Sequence, residues 1–472
     1  MSRDAVRRGR GSGDASVDLS GQASRQGRRL LLAATLAGWC LAAHGRAAQA
    51  EQARGRDAPA SPSLTMDDAV RLALARNRDI VSARLEIDVA ATEIIAARLL
   101  PNPTLGYSVG NLVLGSGNDQ MRGLDPHFWS QPVQSVGISQ VIDLWAKRRA
   151  RTEVAELGTE QQRWVAADAI RTIVHAVRSA FNEVLREQGE LALSREIAAR
   201  YAGTVKLSRS RFAAGDISEA ELRKVELEGI RFDNAVIDAE TEWATARAGL
   251  ALLLGLPDAA GLPAELPETF ALLSPDERLA APDAAEKLVA LALERRPDVR
   301  ATRVDARRAS ARQRSARRDA FPDVALGPTY THSGFAVSGD NPNTLGLSVS
   351  VVLPVFDRNQ AARARADLEL RRAANDEARL GLVVRQEIAD ATRRERRSRR
   401  LVSTYEGGML RLAEDALKTA ERLYRAGASS LLEFLEAERT YLEIRGQYLR
   451  ARHDLRQASV DVAFVVAEGN LE

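Results

Sequence analysis

Two carboxylates, Glu433 and Glu436, stand three residues apart just beyond the run Gly427-Ala428-Ser429-Ser430. On a helix that spacing puts both on one face. A ring of such groups favours cations over anions. The same pair equally suits a solvated face with negative charge near a helix start, where the helix dipole is positive. Other chemistry is sparse. His127, His175, His332 and His453 are scattered, with no pair at metal-ligand spacing. His127 and His332 fall in or beside loops and read as solvated. No Gly-rich phosphate loop, nucleophile elbow or catalytic triad pattern is present. No enzyme, cofactor or metal site is therefore expected. The run from Arg393 to Arg400 and the arginines between 300 and 318 suit a nucleic acid in charge. No aromatic residues interleave with them to stack bases, so they read as helix faces and no nucleic-acid partner is expected.

The leader shapes the charge balance. Arg28 and Arg29 precede an apolar run from Leu30 to Ala43, and small residues follow to Ala48-Gln49-Ala50. That order, positive start, short apolar centre and A-x-A end, is an export signal over residues 1–50. The apolar run is shorter than the roughly 20 residues a membrane span needs. The whole chain of 472 residues carries a formal +3. Eight arginines and three aspartates lie in residues 1–50, so the remainder has 59 basic and 61 acidic residues, a net −2. The only cysteine, Cys40, lies in the leader. It excludes internal disulfides and is the candidate lipidation site, although Trp39 stands where lipoprotein signals place a small residue.

The remainder is written twice. Val70-Arg71-Leu72-Ala73-Leu74-Ala75-Arg76-Asn77-Arg78-Asp79 is echoed by Val289-Ala290-Leu291-Ala292-Leu293-Glu294-Arg295-Arg296-Pro297-Asp298. Leu100-Pro101-Asn102-Pro103 is echoed by Phe321-Pro322-Asp323-Val324, and Arg211-Phe212-Ala213-Ala214-Gly215 by Leu423-Tyr424-Arg425-Ala426-Gly427. The unit is far longer than a solenoid repeat. It divides the chain into halves, 51–256 and 285–472, joined by a Pro-rich linker over 257–284. Each half reads as a helix of about 35 residues ending at a proline, two short strands, and a long helical stretch broken at Gly215 or Gly427. A 60-residue helix is about 90 Å long, so such helices must pack lengthwise as coiled coils.

The strands are expected at about 104–113, 135–143, 323–332 and 344–353. Along each, apolar residues such as Leu105, Val136, Leu326 and Leu347 alternate with Gly, Ser and Thr. One face is apolar and the other small and polar, the pattern of a membrane β-barrel in an exported protein. Four strands leave open edges, which lipid does not tolerate, so a membrane reading requires oligomerisation. Three chains would supply twelve strands.

With these features the sequence resembles the TolC family of outer-membrane efflux factors, and within it the CzcC-type heavy-metal branch. The residues that carry the branch resemblance are Leu353-Pro354-Val355-Phe356-Asp357-Arg358-Asn359-Gln360. Asp357 or Asn359 is expected to cap the helix that follows. The first-half counterpart, Gln140-Val141-Ile142-Asp143-Leu144-Trp145-Ala146-Lys147, departs from the branch pattern, with Trp145 and Ala146 where two glycines usually stand. The resemblance implies a mainly α fold with a small β-barrel part. It implies a homotrimeric α/β-barrel tunnel in outer-membrane lipid that extends into the periplasm. It further implies work with a periplasmic adaptor (membrane fusion) protein and an inner-membrane RND pump. The cargo it implies is divalent heavy-metal cations; drugs or secreted polypeptides are the alternative. A soluble coiled-coil scaffold or nucleic-acid binder conflicts with the export signal. By position, the resemblance places Glu433, Glu436, Tyr424 and Glu221 at the tunnel constriction, with a hydrogen bond between the Tyr424 phenol and the Glu221 carboxylate. It makes Phe212, Gly215, Ser218, Gly427 and Ser430 the adaptor-contacting tips.

Overall fold

The computed structural model describes residues 64–110, 133–267, 284–334 and 341–468. The expected leader, Cys40 and His127 lie outside the described residues. The first half runs α1 (Met66–Arg76), α2 (Arg78–Arg98), β1 (Thr104–Gly110), β2 (Val133–Ile142), α3 (Lys147–Ala213) and α4 (Glu219–Leu253). The second runs α5 (Ala284–Arg295), α6 (Pro297–Asp319), β3 (Val324–Ser333), β4 (Asn343–Val351), α7 (Gln360–Thr404), α8 (Leu410–Arg425) and α9 (Leu431–Val466). Among the described residues no helix is long and apolar enough to cross a membrane.

The strands form one antiparallel sheet in the order β1-β2-β3-β4. The register aligns Leu105 with Ile138, Tyr107 with Val136, Val136 with Tyr330, Tyr330 with Leu345 and Leu326 with Val349. One face is therefore apolar, and Leu105, Tyr107, Ile138, Leu345 and Leu347 are exposed on it. The other face aligns Ser135 with Thr331 and Gly327 with Ser348. There the Ser135 and Thr331 hydroxyls are 3.1 Å apart. Gly327 is required at its place, because a Cβ would lie 2.0 Å from the Ile138 carbonyl oxygen.

Each half departs from expectation at its first helix, which is two helices rather than one. The break falls on the echoed motif, at Asn77 and at Arg296, both extended with ψ near 128°. Asn77 accepts from the backbone N–H of Asp79 at 2.9 Å and Ile80 at 3.2 Å, capping α2. Its amide also donates to the Leu253 carbonyl at 2.8 Å. In the second half Pro297 opens α6, where its missing N–H leaves nothing unpaired. The buried Arg296 guanidinium pairs with Asp298 and Glu387. A third departure is a π turn at Tyr405–Met409, between α7 and α8, with Gly408 at φ 143°. It interrupts a stretch expected to be continuous helix. Two cross-links brace it against α9, Tyr405 to Gln447 and Tyr448 to Glu406.

α3 packs lengthwise against α2, α4, α6 and α9. One buried cluster gathers Val70, Ala73, Val177, Phe181, Leu250 and Leu254 from α1, α3 and the end of α4. Another gathers Val289, Ala292, Val384, Ile388 and Val462 from α5, α7 and α9. The described first residues of the expected linker are held by Arg247, whose guanidinium donates to the carbonyls of Ala259, Leu262, Pro263 and Ala264. The arginines of α6 reach across to α3 acids, Arg307 to Glu160 and Arg314 to Glu153. Exposed pairs of this kind contribute at most about 1 kcal/mol each. Their role is to match two helix faces, which accounts for a basic run that resembles a nucleic-acid patch.

The strand-to-helix turns differ from the expected capping. Asn359 is left-handed (φ 57°) and makes no side-chain cap. Its amide donates instead to the Ala316 carbonyl, tying α7 to α6. Asp357 accepts from the Asn359 N–H at 2.8 Å. In the first half Asp143 does cap, accepting from Lys147 N–H at 2.7 Å and Arg148 N–H at 2.9 Å. Ala146, in the position matching Asn359, is also left-handed (φ 54°). Trp145 stacks on Phe321 with ring centroids 4.8 Å apart and donates to the Pro322 carbonyl. It thereby locks the two halves together. A left-handed alanine is strained by roughly 1–2 kcal/mol. Ala146→Gly should therefore raise stability by about 1 kcal/mol, read as a higher chemical-denaturation midpoint. An unchanged or lower midpoint would contradict the strain.

Candidate functional site

The two helical hairpins end alike. α3 stops at Ala213 and α8 at Arg425, each followed by a glycine with positive φ, 85° at Gly215 and 72° at Gly427. The N–H of Asp216 donates to the Arg211 carbonyl, and that of Ala428 to the Leu423 carbonyl, both at 2.9 Å. The N–H of each glycine closes the inner bond, Gly215 to Phe212 and Gly427 to Tyr424. These are paired Schellman turns, which need a left-handed residue after the last helical turn. Ser218 and Ser430 then start the return helices, accepting from Glu221 N–H and Glu433 N–H, each at 3.2 Å. The residues expected at the tips, Phe212, Gly215, Ser218, Gly427 and Ser430, are thus brought to matching positions in the two turns. Phe212 is exposed.

The carboxylates at these starts divide their work. Glu221 accepts from both the backbone and the hydroxyl of Ser218, completing a capping box. Those bonds hold its carboxyl below the usual range. Glu433 occupies the corresponding place in α9 but bonds the Ser429 hydroxyl instead. Glu433 and Glu436 are both exposed on the first turns of α9, so the expected shared acidic face is present. Among the described residues no group of three or more His, Cys, Asp or Glu is placed to hold a metal ion. His332 bonds Asn343 at the start of β4, and His175 pairs with Asp461 at 2.8 Å between α3 and α9.

The expected bond between Tyr424 and Glu221 is not made within the chain. Glu221 is engaged by Ser218, and Tyr424 is only 2% exposed. Its ring lies parallel to Phe434 at 5.3 Å, and the Arg211 guanidinium sits 4.8 Å over its centroid. Tyr424 anchors the second tip by packing, and Arg211 joins the first hairpin to it.

Beneath this anchor the structure places residues that sequence reasoning did not single out. A cavity of about 280 Å³ opens between α3, α8 and α9, lined by Arg200, Thr204, Glu421, Tyr424, Phe434 and Glu438 among others. Glu438 is 2% exposed, and burial pushes its carboxyl up to about 7. The signal was legible: Phe434, Glu438 and Tyr441 follow the i, i+4, i+7 spacing of a buried helix face, which puts a carboxylate among apolar residues.

Comparisons with known proteins agree with this architecture. The profile of the family described as outer membrane efflux protein matches residues 69–256 and 288–468. The chain is 27% identical over 406 residues to the cobalt-zinc-cadmium resistance protein CzcC of Cupriavidus metallidurans, covering 85% of this chain and 90% of that protein. It is 26% identical over 439 residues to the pyoverdine export outer membrane protein OpmQ of Pseudomonas putida, covering 90% of each. Among solved structures, the outer membrane protein VceC of Vibrio cholerae superposes with a TM-score of 0.69 at 18% identity, over 86% of this chain and 96% of that one. A strand-bearing, duplicated helical chain with paired tip hairpins, matched by that profile along both halves, belongs to the outer membrane efflux protein family, the TolC family, and is an outer-membrane channel subunit rather than an enzyme.

Proposed function

We propose that three copies of this chain form a gated tunnel that exports divalent heavy-metal cations passively, together with a periplasmic adaptor and an inner-membrane RND pump. In this reading residues 1–50 are removed on export. The halves 51–256 and 285–472, joined by 257–284, each give two strands to a twelve-stranded barrel in outer-membrane lipid. The likeness to CzcC over 85% of the chain carries the cargo assignment. The exposed Glu433–Glu436 face agrees with it, since three copies would present stacked carboxylate rings to a passing cation. The nearly equal likeness to OpmQ favours a second reading, export of a siderophore-like organic molecule. Deleting the gene and screening tolerance to cobalt, zinc, cadmium, nickel, copper and antibiotics separates the two. Sensitisation to metal ions alone supports the first reading; unchanged metal tolerance removes it.

The tip residues have separate roles here. Phe212, Gly215, Ser218, Gly427 and Ser430 face the adaptor. Glu433 and Glu436 set charge selectivity, while Glu221 and Tyr424 keep the constriction narrow by capping and packing. Replacing both acids, Glu433→Gln with Glu436→Gln, should lower the cation-over-anion permeability ratio severalfold in planar bilayers. An unchanged ratio would take the pair out of the pathway. Tyr424→Ala empties a buried aromatic site, which costs about 3 kcal/mol of local packing. Cells carrying it should admit large antibiotics that the parent channel excludes, and unaltered antibiotic sensitivity would argue against Tyr424 as a gate anchor.

A further inference from the structure

The cavity under Tyr424 holds an unusual set of polar atoms. Glu438 Oε2, the Tyr424 hydroxyl and the nearby Tyr201 hydroxyl are all buried and have no hydrogen-bond partner among the described residues. Native interiors pair nearly all such groups, because an orphaned one keeps the full cost of its lost hydration. Three at one place, where the second hairpin packs on α3, mark a site where packing and solvation compete.

The charges around Glu438 leave it without a counter-ion of its own. From α3, the Arg200 charge partly offsets the burial of Glu438, but its guanidinium bonds Glu196 at 3.2 Å rather than Glu438; Tyr201 is 1% exposed and burial raises its phenol. From α8 come Glu421, Tyr424 and Arg425, with Glu421 and Arg425 paired to each other. Tyr441 follows on α9, and the Glu228 charge of α4 acts on Tyr201. A carboxylate enclosed among these groups, with Glu421 adding a like charge, loses hydration without gaining a salt bridge.

We propose that Glu438 is a proton-binding site that couples the α8–α9 hairpin to pH, holding a proton in the packed tip seen here and releasing it when the hairpin loosens and water enters the cavity. The sign follows from linkage. Burial raises the carboxyl to about 7 from an ordinary value of 4.5. Below the ordinary value both conformations carry the proton, and packing is unopposed. As pH rises from there through about 7, the packed tip must keep a proton that the loosened tip would release, and packing weakens. The tip is therefore tightest in acid and loosest above neutrality.

The inference rests on the reading that the tips form the constriction, and the test separates the two. The full-length channel is reconstituted in planar bilayers, and open probability is recorded from pH 5 to pH 8. The open-to-closed ratio of the parent channel should rise by roughly one to two orders of magnitude from pH 5 to pH 8. Glu438→Gln, neutral at every pH, should hold the acid-side value throughout, and Glu438→Asp should keep a pH response with a displaced midpoint. The Glu433→Gln, Glu436→Gln channel should retain the pH response while losing cation selectivity. A flat profile in the parent channel overturns the proposal without recourse to any variant. So does a Glu438→Gln profile identical to the parent's. If Glu433→Gln with Glu436→Gln leaves selectivity untouched as well, the constriction reading is what has failed; if it alters selectivity, only the proton site has.

Discussion

The sheet exposes its apolar face and, among the described residues, leaves the outer edges of β1 and β4 without a strand partner. In hydrocarbon every such backbone group is costly, and only closed barrels and helices satisfy them all. This constraint governs the rest of the molecule. A chain supplying four strands must find other strands, so its helices must be shaped for neighbours too. That explains why apolar residues such as Leu85, Val89, Leu227 and Ile230 remain exposed along α2 and α4. The sheet also fixes where the helices begin. α3 and α7 start from turns whose left-handed residues, Ala146 and Asn359, redirect the chain; Asp143 caps the first of these helices, and the side chain of the N-cap residue does not cap the second.

Duplication gives the fold its regularity, and the two halves use it differently. Both place a break at the same echoed position, one by an asparagine cap and one by a proline with a buried arginine. Both end their hairpins with the same glycine turn. They diverge below the tips. The first tip is closed by a reciprocal capping box at Ser218 and Glu221. In the second, Glu433 leaves that role for Ser429, Tyr424 is buried against Phe434, and a π turn with Gly408 interrupts the helix above. The second hairpin therefore carries both a break in its helix ladder and the buried Glu438. Both lie in the arm whose tip buries Tyr424.

Much of the fold was legible in the chain. Period-two alternation identified all four strands, and the register places the predicted apolar residues on one face. The glycines announced the tips, because no other residue type takes a left-handed turn so cheaply. The helix breaks at Asn77 and Arg296 had local signals, an Asn two residues before an Asp and a Pro at a first helical position. They were overridden by the long helical period around them. The π turn had only Gly407-Gly408 to mark it. The failed cap at Asn359 shows the limit of motif reading, since the side chain that ordinarily caps its own helix was drawn to Ala316 on another.

What the amino-acid sequence determined by itself was therefore local and periodic: the duplication, the strand faces, the long helices, the glycine turns and the acidic pair on the first turns of α9. Each depends on neighbours within a few residues, where backbone geometry and side-chain period leave little choice. Only the tertiary structure decided which polar groups meet. Arg307 finds Glu160, Arg247 finds the linker carbonyls, Tyr424 turns from Glu221 to Phe434, and Glu438 is enclosed without a partner. Burial and pairing are properties of helices brought together from distant parts of the chain. A carboxylate's charge state follows from how much water that packing leaves it.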